Sequence, residues 1–149
     1  MQMIGTRIFA TLVLQLFMLL PAWAQMPKIE LGIGMYRIDA EVAHTEAMRQ
    51  KGLMHRMEMA QQQGMLFVFP EAQPYCMWMR NTFIPLSVAF LDDAGRILNI
   101  EDMAPQTESN HCAVKPARYA LEMNKGWFAA RNLKPGQLLR GLDKAPPAR

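Results

Sequence analysis

Cysteine and histidine are scarce in this chain, with two Cys (76 and 112) and three His (44, 55 and 111) in 149 residues. The three His fall too far apart to form a sequence-local zinc motif. Charge is thin as well: 16 Lys plus Arg face 13 Asp plus Glu, a net of +3, with no basic cluster. A balance that small argues against nucleic acid as a partner. No internal repeat and no Gly/Ser-rich linker divides the chain, so its length makes one domain with a single core. No apolar run reaches the roughly 20 residues that a membrane-spanning helix needs.

The longest apolar run is Ile8 to Leu20, 13 residues preceded by Arg7 and followed by Ala22, Trp23 and Ala24. This basic, apolar and small-x-small order is that of a secretory signal peptide, with cleavage expected after Ala24 and no membrane span left afterwards. Without Arg7 the remainder has 16 − 1 = 15 basic against 13 acidic residues, a net of +2. Both Cys lie in the exported part, and an even count in an oxidising compartment suggests one disulfide, Cys76 to Cys112. A bridge across this separation would remove about 4 kcal/mol of unfolded-chain entropy on the loop-closure model.

The chain is organised around Gly64 to Asp92, where the apolar runs GMLFVF, YCMWM and FIPLSVAFL are broken by PEAQP and by the triplet Arg80, Asn81, Thr82. Runs rich in aromatic and β-branched residues between Pro and polar clusters read as strands. Ahead of them, Gln25 to Gly34 and Tyr36 to Val42 alternate apolar with polar residues, as one hairpin would. Thr45 caps a short helix that Gly52 stops, and further helical turns are expected at Met57 to Gln63 and Trp127 to Asn132. Asp92 to Gly95 is a hairpin turn, and Arg96 to Ile100 is the returning strand. Glu101 to Arg118 reads as a long loop, tied down by Cys112. Tyr119 to Asn124 alternates again, and a short strand follows near Gln137 to Arg140. The expectation is an α+β, mainly β fold: a compact, barrel-like or curved antiparallel or mixed sheet over residues 25–143, with two or three short helices and a disordered tail at 144–149.

Polar residues set among apolar strands mark the candidate site. Trp78, Arg80, Asn81 and Thr82 place an aromatic face, a cation, an amide and a hydroxyl within five residues, and Arg56 and Glu122 are candidates to converge on them. Such a mixture suits a small-molecule pocket, with Arg able to hold a carboxylate or phosphate. The plainer reading has Asn81 and Thr82 serving a turn, Arg80 paired with an acid and Trp78 packed in the core. Glu122, mid-strand beside apolar residues, is read as partly buried and paired with an Arg.

Two other classes of function compete. Eleven Met remain after residue 24, with Met77 and Met79 spaced as Met-x-Met and Met54 beside His55, a donor set that suits Cu(I). Filling irregular core space is the commoner use of Met. A hydrolase-like site would need Cys76 or Cys112 with His55 or His111, and a Cys held in a disulfide cannot attack. No cofactor and no metal ligand set is assigned.

The segments GLMHR (Gly52 to Arg56), GMLFVF (Gly64 to Phe69), WMRNTFIPL (Trp78 to Leu86), LDDAGRILNI and YALEMNKG (Tyr119 to Gly126) together resemble the bacterial and archaeal domain-of-unknown-function family 192. The resemblance runs over about residues 36–142. It implies a small, mostly β, often exported domain with no established biochemical activity. Many members have an aromatic residue where Met77 stands and an Asp where Ser87 stands. The combined expectation is an exported, non-catalytic domain that binds a small ligand or another envelope component.

Overall fold

The computed structural model describes residues 25–149, and the proposed signal peptide, residues 1–24, lies outside the described residues. Strands β1 (Lys28–Ile33) and β2 (Tyr36–Ala43) form the first hairpin, followed by helix α1 (Glu46–Lys51) and β3 (Gln63–Gln73). Next come β4 (Cys76–Met77), β5 (Leu86–Leu91), β6 (Ile97–Met103), β7 (His111–Cys112), β8 (Ala117–Asn124) and β9 (Leu139–Arg140). Seven strands make one sheet in the order β6-β5-β8-β3-β2-β1-β9, while β4 and β7 pair as a separate ribbon. Every pairing is antiparallel except β2 with β3. The sheet curls into a half-barrel, and a bridge between Arg96 and Leu138 brings its two edges together at one end.

The central strands are buried on both faces, which is why they read as unbroken apolar runs rather than as alternations. Along β3, Leu66 and Val68 enter one apolar cluster with Ile38, Val42, Leu121, Met123 and Phe128. Their neighbours Met65, Phe67 and Phe69 enter the other, with Val88, Phe90, Ala120 and Met79. Burying a side chain such as Phe67 or Leu66 contributes about 2 kcal/mol each. Gly64 lets β3 lie close to β8: a Cβ there would meet the Glu122 carbonyl oxygen at 2.7 Å and run into the Met123 sulfur.

Helix α1 follows its sequence signals. The Thr45 side chain accepts the Met48 N–H, and Gly52 closes the far end with its N–H on the Met48 carbonyl. This is the one α-helix among the described residues, so the expected two or three short helices are not all formed. Met57 to Gln63 is extended or turn because its carbonyls serve other segments. The Gln62 carbonyl accepts the Asp39 N–H, and Asn124 Nδ2 donates to Met59 and Ala60. Trp127 to Asn132 yields only a three-residue 3-10 turn, Ala129–Arg131, ended by Asn132 at φ 54°. A second such turn, Leu142–Lys144, precedes the tail. Residues 144–149, expected to be disordered, lie against the domain here, with the Arg149 N–H on the His44 carbonyl.

The two Cys form the expected bridge. Cys76 and Cys112 face each other across the β4–β7 ribbon with an S–S distance of 1.99 Å, and no free Cys remains.

Candidate functional site

A cavity of about 400 Å3 opens between the end of α1, the middle of β3, the β4 ribbon and the face of β8. Leu53, Met54, Phe67, Phe69, Tyr75 and Trp78 supply most of its apolar wall. Phe69 and Tyr75 stack at 3.8 Å between ring centroids, and Trp78 stands half-exposed at the mouth. Gly52, at φ 47°, lets the helix end press on the Phe67 ring, which a Cβ there would meet at 3.2 Å. Four of the five segments that carry the family resemblance, far apart in sequence, contribute residues to this wall: Gly52 to Met54, Phe67 with Phe69, Trp78 with Thr82, and Glu122.

Two buried polar side chains line the interior. Thr82 is 5% exposed, and its hydroxyl donates to the Arg80 carbonyl at 3.3 Å. Glu122 is 4% exposed and lies in the central strand, directly opposite Met65 on β3 and Val88 on β5, both fully buried. Burial pushes its carboxyl up to about 8, because no cation or hydrogen bond offsets the loss of water. At neutral pH, then, this carboxyl is mostly the neutral acid.

The six candidate residues divide between places. Trp78, Thr82 and Glu122 line the one cavity. Arg56 lines a separate, more polar hollow with Lys28 and Asp39, where it grips Glu41 with two hydrogen bonds of 2.9 and 2.5 Å. Those bonds hold the Glu41 carboxyl below the ordinary carboxylate range and raise the Arg56 guanidinium. Arg80 lies outside both linings, 5.6 Å over the Trp78 ring and 3.8 Å from the Glu108 carboxylate. Asn81 takes a left-handed turn conformation, φ 55°, and its carbonyl accepts the His55 N–H at 2.9 Å. The polar triplet is thus chiefly a turn whose last member reaches the cavity. No Arg pairs with Glu122 among the described residues.

Sequence reasoning missed Phe67, Phe69, Tyr75 and Leu53 as wall residues. Strand geometry places Phe67 and Phe69 on one face of β3, but nothing local in GMLFVF says that this face borders a cavity. Ser87 lies outside this lining; its hydroxyl donates to Asp102 Oδ1 at 2.5 Å and accepts the Gly126 N–H at 2.9 Å. Met79 is wholly buried in the second cluster, Met77 packs partly buried against it, and His55 lies edge-on to Phe83 at 5.9 Å. Among the described residues no three His, Cys, Asp or Glu side chains converge to hold a metal, and no helix is long and apolar enough to cross a membrane. With both thiols in the bridge, neither Cys can serve as the nucleophile of a Cys/His hydrolase.

Comparison with solved structures finds four similar chains, among them the two that follow. A proposed transcription regulator from Sinorhizobium meliloti is 33% identical, with a TM-score of 0.77, covering 78% of this chain and 95% of its own. A protein of unknown function from Novosphingobium aromaticivorans is 32% identical, with a TM-score of 0.74, covering 76% of this chain and 85% of its own. Comparison with curated proteins gives no match. The model of DUF192, described as an uncharacterised family, matches residues 29–141. With that match spanning most of its length, the chain belongs to the DUF192 family.

Proposed function

We propose that this chain is an exported binding protein whose cavity beside Glu122 takes one small, mainly apolar organic molecule and performs no chemistry on it. The observation that carries the reading is the convergence of four separated segments on one concave, largely apolar space with two buried polar groups in its lining. A cavity of that size and composition is the usual make-up of a ligand site. Non-catalytic binding is favoured because both thiols are bonded and no base is hydrogen-bonded to a nucleophile in the lining. Export rests on the order of residues in the first 24 positions. An envelope protein is the other class of occupant, and it would have to insert an apolar side chain past Trp78.

A fragment library screened by amide chemical shifts tests the binding reading. Hits should perturb Gly52, Leu53, Phe67, Trp78 and Thr82 together. A library without hits, or hits confined to the Arg56 hollow, overturns it. Fractionation of the expressing cells and mass measurement of the mature chain test export: a product still beginning at Met1 in the cytosol refutes it.

A further inference from the structure

The polar chemistry of the cavity specifies more than an apolar occupant. Thr82 spends its hydroxyl hydrogen on the Arg80 carbonyl, so towards the cavity its oxygen can only accept. Glu122, between Met65 and Val88, meets no donor from either flanking strand, so its ionised form is left without a partner. Phe67, Phe69, Tyr75 and Trp78 share the cavity lining with these two groups, and exposed aromatic faces favour a cation. What would let Glu122 ionise in this place is a charged donor, because only a charged donor offsets the desolvation of an ionised carboxylate.

We propose that the ligand carries an ammonium group that pairs with Glu122 and donates to Thr82, with its hydrocarbon or aromatic body against the four rings. This inference rests on the cavity being the binding site. The charged groups of α1 in the lining, Glu46, Arg49 and Lys51, do not replace such a ligand. Arg49 donates to the His44 and Val68 carbonyls at 2.8 and 3.0 Å, Glu46 accepts from Gln50, and Lys51 is exposed. The strands flanking Glu122 present only Met65 and Val88 opposite it. A carboxylate ligand would set like charge against Glu122, and a neutral alcohol would gain a hydrogen bond but no ion pair. When the ammonium enters, the Glu122 carboxyl gives its proton to water, and no covalent bond is made.

Calorimetry with three probes of matched size, 2-phenylethylamine, 2-phenylethanol and 3-phenylpropanoate, decides this. The amine is expected to bind at least about tenfold tighter than the alcohol near pH 8, the propanoate weakest. Its affinity should rise about tenfold per pH unit from about pH 6 to pH 7, as the ionised fraction of a carboxyl at about 8 rises, with one proton released to buffer. In Glu122→Gln the amine preference and the pH slope should vanish, and a cooperative urea transition of the variant shows that the domain is still folded. An alcohol that binds as well as the amine, or a pH slope retained in Glu122→Gln, overturns the ammonium proposal and leaves the binding reading standing. Failure of all three probes to bind overturns the proposal and counts against the cavity itself.

Discussion

Replacing Glu122 by Gln should change the pH dependence of stability more than any other single substitution in the sheet. The folded-state value of this carboxyl is about 8 against an ordinary 4.5. Between those two values the unfolded chain has released the proton while the folded chain still holds it, so stability falls as pH rises. At about 1.4 kcal/mol per pH unit the full penalty, reached above pH 8, is about 5 kcal/mol, and about 3 to 4 kcal/mol of it accrues between pH 5 and pH 8. Against a total stability of about 5 to 15 kcal/mol that is a large share. Gln has nearly the same shape and no charge to bury, so its contribution is flat across the range. Urea unfolding under non-reducing conditions at pH 5, 6, 7 and 8 would compare the parent and Glu122→Gln. Groups that titrate elsewhere cancel in the difference, which should move by about 3 kcal/mol in favour of the variant as pH rises. A difference that stays constant within about 0.5 kcal/mol would refute the claim that this carboxyl is buried without a partner.

Two further outcomes test the packing. Gly64→Ala should cost about 2 to 3 kcal/mol, since the added methyl meets the Glu122 carbonyl at 2.7 Å where two paired strands cannot separate; an unchanged urea midpoint would contradict the β3–β8 approach. Both thiols should alkylate only after reductant, and reduction should lower stability by about 4 kcal/mol for the 36-residue separation; ready alkylation of the untreated protein would remove the bridge.

Much of the fold is legible because the sheet is buried on both sides. GMLFVF and the LSVAFL part of FIPLSVAFL are continuous apolar runs for that reason, and they became β3 and β5. Short-range devices are legible for a different reason, since their partners lie a few residues away: the Thr45 cap, the Gly52 stop and the Asp92 to Gly95 turn. Pairings across long separations leave no such trace. Nothing in Tyr36 to Ala43 says that it will lie parallel to β3, and nothing near Met57 says that its neighbours' carbonyls are reserved for Asp39 and Asn124. The same limit governs the site. Glu122 stands out in the sequence as a mid-strand acid, but its lack of a cation follows from Met65 and Val88 flanking it, which only the strand order determines. Arg56, a candidate to converge on Trp78 to Thr82, is held elsewhere by Glu41, fifteen residues upstream.

Position 87 shows how a local departure from the family pattern is absorbed. Ser87 stands where the resemblance implies Asp, and it lies outside the cavity lining. Its hydroxyl accepts the Gly126 N–H and donates to Asp102, its partner across the β5–β6 ladder. An Asp at 87 could accept the Gly126 N–H by itself; here β5 supplies the acceptor and β6 the carboxylate behind it. Gly126 lies in the turn that leaves β8, two residues after Asn124, so this linkage fixes the end of the strand that carries Glu122. Residue 87 therefore acts on the backbone of the turn, and among the described residues the cavity has Glu122 as its single buried carboxyl.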